Sequence, residues 1–167
     1  MTSLKSILPL IVLTSLLPLH GETSHSIGFG ANYWQVVDDI EIDDVEENGF
    51  SYLFAYRYDG GLLNIQTEVE VFPEDYAGSS KDVYAPQALV TIGNSIFAGL
   101  GGGIQYSDGE WADEPYYFIR AGLSILQLGP AHIDFHANYI FSDFDALDSD
   151  DIDTDTVTLG AMVRLDL

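Results

Sequence analysis

From Tyr117 to Tyr139 the chain alternates between two kinds of residue. Tyr117, Ile119, Ala121, Leu123 and Ile125 interleave with Phe118, Arg120, Gly122 and Ser124. After a break at Leu128-Gly129-Pro130, Ile133, Phe135, Ala137 and Tyr139 interleave with Asp134, His136 and Asn138. Successive side chains of an extended strand point to opposite faces, so each run has one apolar face and one face bearing Arg, Asp, His and Asn. Two such runs with a tight Gly-Pro turn between them read as a β-hairpin.

The same pattern recurs along the chain after residue 26, with no helical period anywhere in it. Six more strands are expected over 26–37, 50–58, 62–72, 84–92, 96–106 and 156–167. The cleanest alternates Leu63, Ile65, Thr67, Val69 and Val71 with Asn64, Gln66, Glu68 and Glu70. The last sets Val157, Leu159, Ala161, Val163, Leu165 and Leu167 against Thr158, Gly160, Met162, Arg164 and Asp166. Eight strands of about ten residues match tilted strands that cross a membrane, with lipid on the apolar face and a small polar interior on the other. The connections alternate between long and short. The short ones, Asp59-Gly60-Gly61, Gly93-Asn94-Ser95 and Leu128-Gly129-Pro130, have tight-turn chemistry and belong on one rim. A three-residue turn at 93–95 would pair Ile92 with Ile96 and Val90 with Ala98.

The long connections carry the charge. The formal charge is −22, and 21 of the 27 acidic residues fall in four segments: 38–47, 74–82, 108–114 and 143–155. Such a balance repels phosphates and excludes nucleic acid as a partner. The chain has no cysteine, which excludes disulfides and a lipid anchor on a cysteine. Residues 1–21 combine Lys5 with the thirteen-residue, mostly apolar run 7–19 and a polar exit. That is the organisation of a signal peptide, too short to cross about 30 Å of hydrocarbon as a helix. Residues 22–167 are expected to form one domain.

In strand count, strand length and rim-to-rim loop asymmetry, residues 26–167 resemble the small eight-stranded outer-membrane β-barrels. The membrane domain of outer-membrane protein A and outer-membrane protein X typify that group. The resemblance implies an all-β, eight-stranded antiparallel up-and-down transmembrane β-barrel in the outer membrane of a Gram-negative bacterium. Both termini would be periplasmic and the acidic loops would face outward. It also implies outer-membrane lipid and lipopolysaccharide as surroundings and the barrel assembly machinery as a partner. That machinery commonly reads a terminal aromatic residue, where this chain ends in Leu167.

The interior of an eight-stranded barrel is just wide enough to be filled by side chains. Of the basic residues after residue 21, namely Arg57, Lys81, Arg120 and Arg164, three fall at inward positions, as do Glu68, Glu70 and Asp134. These six inward charges are expected to form a network that plugs the barrel. Within it, Arg57 and Arg120 would pair with Glu68, Glu70 or Asp134. Glycines 28, 30, 99, 101 and 103 would make room for Trp34, Phe97 and Phe118. Aromatic residues near strand ends, Trp34, Tyr58, Phe72, Tyr84, Tyr106, Tyr116 and Phe141, fit the girdles at the two membrane interfaces.

Other chemistry is weighed and set aside. His132, Asp134 and His136 share one strand face, but alternate positions stand about 7 Å apart, which favours a structural role over a metal pair. Ser142 lies near the loop rim with His136 about 15 to 20 Å deeper, so no catalytic set forms. The glycine run 99–103 opens no helix and is no nucleotide loop. Asp148, Asp150, Asp151, Asp153 and Asp155 are weak candidates for divalent cations, since the EF-hand spacing fails and a solvated loop explains them. No cofactor and no enzymatic activity are expected. The functional expectation is a structural or surface-interaction role. A conduit with a lateral opening near Pro86, or a secreted lipocalin-like barrel with its apolar face inside, are the alternatives.

Overall fold

The computed structural model describes residues 23–36, 48–74, 76, 79–141 and 156–167. The signal peptide expected over 1–21, Ser142 and the five candidate aspartates of 148–155 therefore lie outside the described residues.

Eight long strands form the wall: β1 (Ser24–Val36), β2 (Asn48–Gly60), β3 (Leu63–Phe72), β4 (Val83–Ile92), β5 (Ile96–Gly103), β8 (Tyr116–Leu128), β9 (Ala131–Phe141) and β10 (Thr156–Asp166). Each pairs antiparallel with its neighbour in sequence, and the ring closes where β1 meets β10, from Ser26↔Asp166 to Val36↔Thr156. Closure removes the edge strands that would otherwise expose unpaired backbone. Between β5 and β8 the chain adds a small hairpin, β6 (Tyr106–Ser107) and β7 (Glu110–Trp111), so the expected fifth strand over 96–106 is shorter than its alternation suggested.

The short rim differs from the sequence reading in three details. The β2–β3 turn is Gly61-Leu62, because Gly60 pairs with Leu63, and Asp59 stays in the strand with its side chain turned inward. The β4–β5 register is Ile92↔Ala98 and Val90↔Leu100, two residues away from the pairing expected for a three-residue turn. Gly93 sets this: its φ of +97° is left-handed, and a Cβ there would run into the Ile96 carbonyl. Its N–H donates to the Leu62 carbonyl and its own carbonyl accepts from Asn64 Nδ2, tying two turns together. The β8–β9 turn narrows to Gly129-Pro130.

A β-bulge at Ile125 shifts the β8 register between Ser124 and Leu126. Strict alternation would turn Leu126 and Leu128 inward and Gln127 outward. With one residue inserted, Leu126 pairs with Ile133, Gln127 with His132, and both leucines are exposed.

Candidate functional site: the polar interior

The two faces of the wall have opposite chemistry. Outside, Phe29, Phe54, Leu100, Leu159 and Val163 stand about half exposed, and cross-strand ring pairs such as Phe29–Phe54, with centroids 5.2 Å apart, tile the surface. Inside, Asn32, Ser51, Asn64, Glu68, Glu70, Arg120, Asp134 and Thr158 are almost wholly buried. A lipocalin-like barrel requires the reverse, an apolar lumen in a polar shell, so the arrangement excludes that alternative. Rings complete the packing: Phe118 fills the space over Gly101, and Phe97 that over Gly122, where a Cβ would strike the ring in each case.

At the short-turn rim the interior opens into a polar cavity of about 410 Å³ walled by Arg57, Asp59, His132, Arg164 and Asp166, among others. Arg57 Nε donates to Asp59 Oδ1 at 2.6 Å, with its guanidinium 5.9 Å from the Phe97 ring centre. Arg164 Nε donates to Asp134 Oδ2 at 3.0 Å, and its Nη1 reaches Ser26 Oγ at 3.3 Å and Asp59 Oδ2 at 3.4 Å. His132 Nε2 lies 2.9 Å from Asp166 Oδ2. The expected pairing of Arg57 with Glu68, Glu70 or Asp134 is therefore replaced by Asp59. The sequence reading had placed Asp59 in a turn, although its odd-numbered parity with Leu53, Ala55 and Arg57 carried the signal.

Above this layer Arg120, from β8, reaches across the lumen to β3. Its Nη1 and Nη2 donate to Glu68 Oε1 and Oε2 at 2.6 and 2.9 Å, and its Nε donates to Asn138 Oδ1 at 2.6 Å. This bidentate fork uses both planes' geometry and is the strongest form of such a pair. Gln87 Nε2 donates to Glu68 Oε2 at 2.7 Å, Gln66 Nε2 donates to Glu68 Oε1, and Asn138 Nδ2 donates to Thr158 Oγ1 at 2.7 Å.

One step higher, Glu70 is 1% exposed, and its hydrogen-bond partners among the described residues are neutral side chains. Its Oε1 accepts from Asn32 Nδ2 at 2.7 Å and Ser51 Oγ at 2.5 Å; Asn32 Oδ1 in turn faces His136 Nε2 at 3.0 Å. Over Glu70 sits an aromatic lid. Trp34, Phe72 and Phe141 are buried in the interior, so these three do not belong to the expected outer girdle; strand parity turns Trp34 and Phe72 inward, Trp34 as the glycine positions led one to expect, whereas Phe141 is buried although it shares the odd parity of the outward Phe135 and Tyr139. Tyr58 and Tyr84 are exposed, as a girdle requires, and Tyr106 packs on Trp111 in the added hairpin. Tyr76, from the β3–β4 connection, stacks on Phe72 at 4.0 Å and meets Trp34 edge-on at 4.8 Å. Burial, with Glu70 nearby, pushes its hydroxyl up to about 12.

His132, Asp134 and His136 each engage a different partner, Asp166, Arg164 and Asn32, and no metal-holding cluster of His, Cys, Asp and Glu occurs among the described residues. Pro86 pairs within the β3–β4 ladder opposite Val69, and its carbonyl accepts from Ile104 N at 3.2 Å. The wall is thus hydrogen-bonded at the place considered for a lateral opening.

No protein-family model matches the chain, and no curated protein matches its sequence. Solved structures do. Neisserial surface protein A superposes over 87% of this chain and 99% of its own, with a TM-score of 0.55 at 13% identity. The N-terminal β-barrel domain of Pseudomonas aeruginosa OprF does so over 85% and 97%, with a TM-score of 0.50 at 11% identity. The fold is that of the small eight-stranded outer-membrane barrels. At such identities the likeness concerns the fold alone.

Proposed function

We propose that this chain is an integral protein of a Gram-negative outer membrane, exported by residues 1–21, with a structural or surface-interaction role and no enzymatic activity. One observation carries the reading: charged and amide side chains fill the inside of the barrel while Phe, Leu, Ile, Val and Tyr cover the outside. Only a surrounding lipid phase makes that distribution favourable.

The Arg120–Glu68 fork and the Arg57, Arg164, Asp59 and Asp134 group act as a plug that keeps solutes from crossing. At the opposite rim from the short turns, the acidic segments, including Asp148, Asp150, Asp151, Asp153 and Asp155, repel anionic surfaces. They hold divalent cations against the phosphates of lipopolysaccharide. The assembly machinery reads β10 through its outward Val163, Leu165 and Leu167.

The test is to refold residues 22–167 in detergent and compare boiled with unboiled samples on a denaturing gel. A closed barrel keeps a distinct mobility until boiled, and reconstituted liposomes remain impermeable to small sugars. A chain that stays monomeric in plain buffer with no mobility change would refute the membrane reading, and sugar permeation would refute the plug.

A further inference from the structure

Beneath the aromatic lid lies a separate cavity of about 150 Å³, lined by Glu70, Phe72, Tyr76, Gln105, Tyr116, Phe141 and two further residues. We infer that this cavity binds a small organic cation of alkylammonium type, with its charge against the Glu70 carboxylate and its carbons against the faces of Phe72, Tyr76 and Tyr116.

The argument begins with charge. Every basic side chain of the strands and their described connections is engaged elsewhere: Arg57 with Asp59, Lys81 with Asp108, Arg120 with Glu68 and Arg164 with Asp134. Glu70 Oε1 is taken by Asn32 and Ser51, whereas Oε2 has a single contact among the described residues. That contact is Gln87 Nε2 at 3.5 Å, and this amide donates at 2.7 Å to Glu68. Both neighbouring phenols also spend their protons away from Glu70: Tyr116 donates to Gln87 Oε1 at 2.9 Å, and Tyr76 bonds Gln105. A deeply buried carboxylate oxygen thus has one long amide contact among the described residues, on a side chain that lines the cavity.

The walls select the kind of cation. Metal ions such as Ca²⁺ require six or more oxygen ligands, and this cavity presents rings instead. Aromatic faces attract ammonium groups and are the usual means of holding methylated ones. The volume admits a tetramethylammonium-sized group and little more. The connections next to the cavity carry Glu74, Asp82, Glu110, Asp113 and Glu114, which raise the local concentration of cations.

The experiment uses residues 22–167 refolded in a nonionic maltoside detergent, carrying Trp111→Phe so that Trp34, in edge contact with Tyr76, reports alone. Tetramethylammonium chloride is titrated against potassium chloride at equal ionic strength. A saturable fluorescence change with tetramethylammonium alone is expected. Glu70→Gln should weaken it by about tenfold or more, Tyr76→Leu by about threefold or more, and Tyr76→Phe should stay near the parent. Identical responses to the two salts, or unaltered affinity in Glu70→Gln or in Tyr76→Leu, would overturn the assignment.

Tyr76 lies outside the strands, so its variant keeps the test decisive if Glu70→Gln fails to close. The gel-mobility change reports closure separately, so lost binding with mobility intact leaves the membrane reading standing. Phosphocholine micelles that compete with tetramethylammonium would assign the site to a lipid ammonium headgroup. Micelles that do not compete would assign it to a free cation.

Discussion

Glu68 and Glu70 sit two residues apart on the same face of β3, both buried, yet their surroundings differ in kind. Glu68 receives a bidentate guanidinium and two amides. Glu70 receives a hydroxyl and an amide on one oxygen and lies under a lid of rings. The lower interior is therefore a balanced ionic lattice, and the upper interior an acid in a mostly aromatic chamber. The contrast teaches that inward polarity has two uses in one small lumen. A guanidinium meets the carboxyl at Glu68, whereas a hydroxyl and an amide meet it at Glu70 beneath the rings.

The largest test of this contrast is Arg120→Ala, which strips Glu68 of its guanidinium partner. Removing one member of a buried pair costs about 3 to 5 kcal/mol, to be read from urea unfolding in detergent micelles. If Arg120→Ala unfolds at the parental midpoint, the lower lattice is not holding the barrel together. A sharper version combines Glu68→Gln with Arg120→Met. The double variant should be more stable than the sum of the single losses predicts, by about 1 to 3 kcal/mol, because neither buried charge is left alone.

At Glu70 the expectation is smaller. Ser51→Ala removes one hydrogen bond and should cost about 1 kcal/mol to 3 kcal/mol, since the acceptor is a buried acid. Glu70→Gln keeps the shape and should change stability by less than about 1.5 kcal/mol, well below Arg120→Ala. Equal losses at the two sites would erase the distinction between the two layers.

The smallest effect concerns pH. The Tyr76 hydroxyl is raised from about 10 to about 12 by burial, so the folded chain holds this proton more tightly than the unfolded one. Its contribution is complete below pH 10 and is lost as pH rises toward 12. Tyr76→Phe should flatten that part of an alkaline unfolding profile, monitored by Trp34 fluorescence.

Much of the interior was legible because parity needs no partner. Arg57, Glu68, Glu70, Arg120, Asp134 and Arg164 could each be assigned to the inward face from their own strand. Which charge meets which could not, since Arg120 on β8 crosses to β3 past two intervening strands, and that depends on strand tilt around the ring. Trp34, Phe72 and Phe141 show the limit from the other side. Their position near strand ends fitted a girdle, but Trp34 and Phe72 lie on the inward face and pack into the lumen, and Phe141 is buried against the parity of its own strand, which alternation cannot foresee.

The β4–β5 register makes the same point for the backbone. Ile92↔Ala98 differs from the expected Ile92↔Ile96 by two residues, and a shift of two returns every side chain to its own face. Hydrophobic alternation cannot detect it; the Gly93 conformation and its bonds to Leu62 and Asn64 decide it.

By itself, the sequence determined the strand number, the face of nearly every side chain, the short and long rims, and hence an inside-out barrel. Those properties follow from period-two geometry and local turn chemistry, which act over a few residues. Tertiary structure alone decided the ion-pair partners, the bulge at Ile125 and the ringed chamber over Glu70. Each of these depends on which strands face one another across a closed ring, a relation between residues far apart in the chain.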